Sequence, residues 1–197
     1  NKPNVISNQL VADKIAEIVD EAERSKETQN AKFSQWRNRT ISDTYEPGSV
    51  FKTVVVAAAL EEGVVDLNTT FTCTGGIQVA NHYQKCWKPG GHGTETLTQG
   101  LMNSCNPFFI TIGQKLGKEN FFKYFEAFGF TEKSGIDLPA EASPVADVTY
   151  HSLEKMGIAE LSSSSFGQTF QVSPIQVVNA ISTIANGGKL MQPYVVD

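Results

Sequence analysis

The chain has 197 residues, 40% of them hydrophobic and twelve of them Phe, which suits one domain, or one domain and a small appendage, with a sizeable core. A net charge of −5 and the lack of any Lys/Arg cluster argue against a nucleic-acid surface. No stretch nears the roughly 18 apolar residues that cross a bilayer, no signal peptide opens the sequence, and three cysteines do not make a small disulfide framework.

Val11, Ile15, Ile18, Val19 and Ala22 recur at helical spacing among Asp, Lys and Glu, which predicts an amphipathic helix over about 11–24. Residues 25–30 are polar and read as loop. The expected organisation is therefore an N-terminal helix and linker over 1–30, ahead of one domain over 31–197. Residues 33–41, with Trp36, Arg37 and Arg39, read as a short ordered segment. Pro47-Gly48 then breaks the chain just before Ser49, and the apolar run from Thr53 to Leu60, stopped by Gly63, predicts a buried helix.

Residues 69–74 have strand-like composition. Gly75-Gly76 and Lys88-Pro89-Gly90-Gly91-His92-Gly93 punctuate a region that reads as irregular, of the kind where sites tend to lie. Helical character resumes over 94–116, with Pro107 opening the apolar run 108–113 as a first-turn proline should. Residues 120–130 form an aromatic-rich helix whose stripe reads as core rather than ligand box. Beyond it, 135–139 read as a short strand, 140–165 as loop ending in four serines, 175–186 as a helix between Pro174 and Gly187-Gly188, and 190–196 as the start of a strand.

Residues three apart share a helix face, so Lys52 stands one turn below Ser49 and within reach of its hydroxyl. Free N–H groups and the positive end of the helix dipole gather at the same place and suit an oxyanion. This is the layout of a serine nucleophile with a lysine base. A second Ser-x-x-Lys, Ser152 to Lys155, lacks the Pro-Gly break and has Gly157 behind it, so it reads as chance spacing. Taken alone, the first pair is equally readable as a helix cap and a solvated lysine.

The wider pattern resembles a known family. Glu46-Pro47-Gly48-Ser49-Val50-Phe51-Lys52 is similar to the first active-site motif of the class B penicillin-binding proteins, in their transpeptidase domain, and Ser104-Cys105-Asn106 to the second, Ser-x-Asn. His92-Gly93, Phe166-Gly167-Gln168, Ser173-Pro174-Ile175-Gln176 and Ala185-Asn186-Gly187-Gly188 follow the family's landmarks in order, so the resemblance spans roughly 37–197. The third motif, Lys-Thr/Ser-Gly on an edge strand beside the serine, is not identified; the family places it beyond the point where this chain ends. The stretch between Arg24 and Phe33 is also shorter than the family's. A complementary chain carrying the rest of the domain would account for the missing motif.

The resemblance implies an α/β (α+β) serine penicillin-binding/β-lactamase-like fold, a helical subdomain plus an antiparallel sheet, here incomplete. It also implies a D,D-transpeptidase that cross-links peptidoglycan stem peptides through a Ser49 acyl-enzyme. Lys52 takes the serine's proton, Ser104 relays a proton to the leaving group, and Asn106 holds the substrate amide and Lys52. β-Lactam antibiotics would acylate Ser49, a glycosyltransferase would be the partner enzyme, and the site would lie on the extracytoplasmic face of the cell membrane. The chemistry needs no cofactor. The alternatives are a serine β-lactamase or penicillin-sensing domain, and a non-catalytic cell-wall scaffold fragment.

Cys73, His82, Cys86, His92 and Cys105 fall within 33 residues. Three readings stay open: buried free thiols; a Cys86–Cys105 disulfide that would distort the second motif; or a structural zinc site of Cys86, His92 and Cys105, with Cys73, His82 or Asp43 as fourth ligand.

Overall fold

In the computed structural model, which describes residues 5–196, the polar N-terminal stretch is more helical than its periodicity implies. Two helices stand there, α1 (Gln9–Ala16) and α2 (Glu21–Trp36), where one was expected over 11–24 and a loop over 25–30. The break falls between them because Asp20 caps α2, accepting from the Glu23 N–H, and Glu21 and Glu23 complement the helix dipole. α2 buries no residue, so no apolar period betrays it. The division expected at residue 30 falls inside this helix. A short α3 (Arg39–Ser42) then buries Ile41.

The serine segment is a 3₁₀ turn, Gly48–Phe51, which leads into α4 (Lys52–Glu61). α4 ends as expected before Gly63, which adopts φ +65. Phe51, Val54, Val55, Ala58 and Ala59 are buried. The Phe51 ring lies 4.8–6.1 Å from those of Phe121, Phe125, Phe130 and Phe170, so a residue between Ser49 and Lys52 is embedded in an aromatic cluster.

The region 75–93 is less irregular than its glycines suggest. β1 (Thr70–Cys73) pairs antiparallel with β4 (Gly93–Thr96), and between them β2 (Gly76–Val79) and β3 (His82–Lys85) form a hairpin. The Cys86 N–H donates to the Gly75 carbonyl, which returns the hairpin's exit to the side of Cys73. After β4 come α5 (Leu97–Met102), opened by a Thr96/Gln99 capping box, and α6 (Asn106–Ala127). α6 absorbs the aromatic helix expected over 120–130 and is kinked at Gly117, φ +78.

Two expected strands are absent. Residues 135–139 and 190–196 form no strand and are joined instead by the Asp137 carboxylate, which accepts from the Val195 and Val196 N–H groups. The loop expected over 140–165 contains α7 (Ile158–Ser164). Its serines are polar yet largely buried, which hides the helix from a hydrophobicity reading. Ser165 Oγ donates to the Leu161 carbonyl and Ser162 Oγ accepts from Gln114 Nε2. Small residues let α7 lie close on α6: a Cβ on Gly113 would stand 1.7 Å from Ser165 Oγ. α8 (Pro174–Ala185) is the helix expected over 175–186.

Candidate active site

Ser49 is held from two sides. Behind it, Phe51 anchors the turn in the aromatic cluster. In front, residues 166–172 latch onto the chain that leads to it: the Gly48 N–H donates to the Gly167 carbonyl (2.9 Å), the Thr169 N–H to Glu46 Oε1 (2.9 Å), and Tyr45 and Val172 exchange both backbone bonds. Gly167 has φ +85, and a Cβ there would stand 1.9 Å from the Gly48 carbonyl oxygen. Only glycine permits that approach.

Lys52 is fully buried, the largest charged side chain in the interior. Its Nζ lies 3.1 Å from Ser49 Oγ, 2.8 Å from Ser104 Oγ, 2.9 Å from the Ser104 carbonyl and 2.7 Å from Asn106 Oδ1. Ser104 Oγ donates to Ser49 Oγ at 2.8 Å. The structure thus brings Ser49, Lys52, Ser104 and Asn106 into one hydrogen-bonded group. Burial lowers the Lys52 ammonium to about 8 from its ordinary 10.5, opposed by the nearby Cys105 and Cys86 side chains.

Ser104 sits where α5 stops. The Cys105 N–H donates to the Gly100 carbonyl and the Ser104 N–H to that of Leu101, the paired bonds of a Schellman cap. Such caps need a left-handed residue, usually glycine, and here Ser104 takes the position with φ +51. The strained backbone turns both its hydroxyl and its carbonyl onto Lys52.

Directly behind this turn, Cys73, Cys86, His92 and Cys105 offer four ligand atoms all within 4.8 Å of one another. Cys73 thus joins the three residues expected there, and the other two candidate ligands do not: His82 is exposed on β3, and Asp43 pairs with Arg37. The three thiols are unbridged. Burial pushes the Cys73 thiol up, but N–H donors at Gly75 and His92 and hydrogen bonds from His92 and Cys105 outweigh it and bring it down to about 7. Burial raises Cys86 and Cys105. His92 Nδ1 is 3.4 Å from Cys86 Sγ, while its Nε2 is buried without a partner.

Sequence reading passed over Glu95. It is the one buried residue of β4, and a charged residue in a Thr-flanked strand gives a hydropathy reading no signal to find it. It also passed over the letters Lys133-Ser134-Gly135, which match the third motif. The structure puts them in the loop after α6, where Ser134 bonds Glu141 and Gly135 accepts from Gln192; no bond reaches the Ser49 group. Ser152 and Lys155 both bond Asp147, and the lysine is exposed, as expected of a chance match.

A family described as the penicillin binding protein transpeptidase domain matches residues 10–197. Stage V sporulation protein D of Bacillus subtilis is 45% identical over 160 residues, covering 81% of this chain and 24% of its own length. Peptidoglycan D,D-transpeptidase MrdA of Acinetobacter baumannii is 28% identical over 166 residues, covering 81% and 25%. The chain therefore spans about a quarter of the length of these curated relatives. Among solved structures, the penicillin-binding protein PBP2 of Helicobacter pylori superposes with a TM-score of 0.73 at 29% identity, covering 87% of this chain and 34% of its own. PBP2 of Pseudomonas aeruginosa gives 0.72 at 26% identity, covering 81% and 38%.

Proposed function

Since the chain belongs to the penicillin-binding protein transpeptidase family, in its class B branch, we propose that Ser49 is the nucleophile of a peptidoglycan D,D-transpeptidase and Lys52 its base. The observation that carries this reading is the environment of Lys52 Nζ. Four oxygens surround it, and an ammonium has three N–H donors to give them. In the neutral amine, two N–H groups serve Asn106 Oδ1 and the Ser104 carbonyl, and the lone pair is free to accept from Ser49 Oγ–H. Burial makes that neutral form accessible near pH 8.

Ser49 Oγ then attacks the carbonyl of the penultimate residue of a D-Ala-D-Ala stem peptide, and Lys52 takes its proton. Ser104, bonded to both, passes a proton to the departing amine of the terminal D-Ala, leaving an ester on Ser49. An amine of a neighbouring stem peptide attacks that ester and completes the cross-link. The Ser49 N–H, in the first turn of its 3₁₀ segment, supplies one oxyanion donor. A β-lactam would acylate the same oxygen. Peptidoglycan as substrate puts the site on the extracytoplasmic face of the membrane, with a glycosyltransferase supplying the strands. No helix among the described residues is long and apolar enough to cross a membrane.

Labelling with a fluorescent penicillin tests this. A stable adduct, lost in Ser49→Ala, is expected. Rapid turnover of the adduct would instead indicate a β-lactamase, and no adduct in the full-length protein a non-catalytic scaffold.

We also propose that Cys73, Cys86, His92 and Cys105 hold a structural zinc. Ligands about 2.0–2.3 Å from a tetrahedral centre stand about 3.3–3.8 Å apart, which the grouping within 4.8 Å accommodates, and three thiols with one imidazole are a closed structural set. The unpartnered His92 Nε2 supports the fit. The metal would neutralise the thiolates and tie β1, the hairpin exit and the start of α6 together. Protein prepared without chelator should carry one zinc and no titratable thiol. Zinc-free protein with three free thiols, or with one and a disulfide, would rule it out.

A further inference from the structure

Glu95 breaks the pattern of its strand. It occupies the inward position of β4, opposite Phe71, and is only 3% exposed. A buried carboxylate is costly unless fully bonded, yet Glu95 has one hydrogen-bond donor: the side-chain amide of Asn103, on Oε1. Oε2 has none and faces His92 Nδ1 at 3.8 Å. Its partner Asn103 is an exposed residue at the end of α5, a place that does not need a buried charge for stability. Asn103 is held a second time. The Trp87 indole Nε1–H donates to the Asn103 carbonyl at 3.0 Å, although the Trp87 side chain is largely exposed and packs its edge on His92.

The Asn103 carbonyl belongs to the peptide unit that ends at the Ser104 nitrogen. Rotation of that unit changes the φ of Ser104, and φ +51 at a residue with a Cβ is strained. Such a conformation persists only where its surroundings over-determine it. Beyond the cap bonds and Lys52, the two ends of Asn103, amide and carbonyl, are further points at which they do so.

We infer that Glu95 and Trp87 are positioning residues for the acylation of Ser49. Through Asn103 they lock the peptide before Ser104 in the orientation that keeps its hydroxyl and carbonyl on Lys52. Without them the unit relaxes, and Ser104 leaves the proton path between Lys52 and the leaving group. The inference rests on the transpeptidase reading above and adds residues to it.

The test is the concentration dependence of penicillin acylation in the full-length protein, which separates binding affinity from the first-order acylation rate. Glu95→Ala, Asn103→Ala and Trp87→Phe should each slow the first-order step about tenfold or more while affinity changes little. Glu95→Gln retains an acceptor for Asn103 and should recover most of the rate. The Glu95→Ala/Asn103→Ala double variant should be no slower than the slower single variant, because both cut one link. A residue of merely structural importance would lower the melting temperature but leave the rate of the molecules that do react unchanged. Asn103→Ala and Trp87→Phe alter exposed side chains, so they keep the test open should Glu95→Ala not fold. First-order rates within twofold of wild type in those two variants would overturn the inference, as would a Glu95→Gln variant as slow as Glu95→Ala. Wild-type protein that takes no penicillin at all would overturn the transpeptidase reading, and this inference with it.

Discussion

The two halves of the site are held by opposite means. Ser49 and Lys52 flank Phe51, whose ring is clasped by four other phenylalanines, so the nucleophile and its base are placed by packing. Ser104 is placed by polar and sulfur groups: a carboxylate, an indole N–H, and the Cys105 thiol in the cluster behind it. Packing resists displacement in every direction and answers mutation with lost stability. A polar clamp holds one orientation among several, and its loss changes geometry before it changes stability. The half that must stay rigid has the core, and the half that must keep a strained turn has the clamp.

This contrast can be broken or sharpened by measurement. The largest effect belongs to Lys52→Met, which keeps the volume and removes the base; acylation should fall on the order of 10³-fold, and a loss below tenfold would mean another group takes the proton. Phe51→Ala, between the two residues, should destabilise by about 3–5 kcal/mol in chemical denaturation; a loss under about 1 kcal/mol would show that packing does not hold this half. Ser104→Gly should do the reverse. It removes a Cβ from a left-handed position and so should stabilise by about 0.5–1 kcal/mol while slowing acylation; unaltered acylation would deny the hydroxyl a part in proton transfer.

The smallest effect is graded with pH. Lys52 is lowered by burial to about 8, so acylation should rise as pH passes through 8 and level off above it. The sign for stability follows from the same shift. Between about 8 and 10.5 the unfolded chain binds the proton that the folded one has released, so stability gains with pH across that window, and below 8 the full penalty of the buried charge applies. Denaturation midpoints at pH 8 and 10 that show the same slope in Lys52→Met would assign the slope to other groups.

Much of this was legible in the residues, for identifiable reasons. α4 and α8 carry apolar runs bounded by Pro and Gly, and β1 carries Thr and Phe, so composition and punctuation agree there with the fold. α2 escaped notice because it buries nothing, and α7 because two of its three buried residues are serines, which carry no apolar period. In the site, Ser49 and Lys52 could be paired from their spacing, since one helical turn brings them together. That Cys73 belongs with Cys86, His92 and Cys105, rather than His82 or Asp43, depends on the β1–β4 pairing and the hairpin's return, which spacing does not contain. Glu95 and Trp87 were missed because neither sits in a motif; their meaning lies in the bonds they make to Asn103.

The latch on the chain leading to Ser49 also sets an order of events. Its bonds include ones that join residues more than 120 apart in sequence, such as Glu46 and Thr169, 123 residues apart. Contacts that close so long a loop form late, because the chain entropy must be surrendered before they contribute. During synthesis the serine emerges long before its latch, and the site stays unassembled until residues 166–172 have arrived. A chain stopped before Phe166 should therefore stay unlabelled by penicillin even where α4 has formed, so the reactive oxygen is kept idle until the latch that frames it has been made.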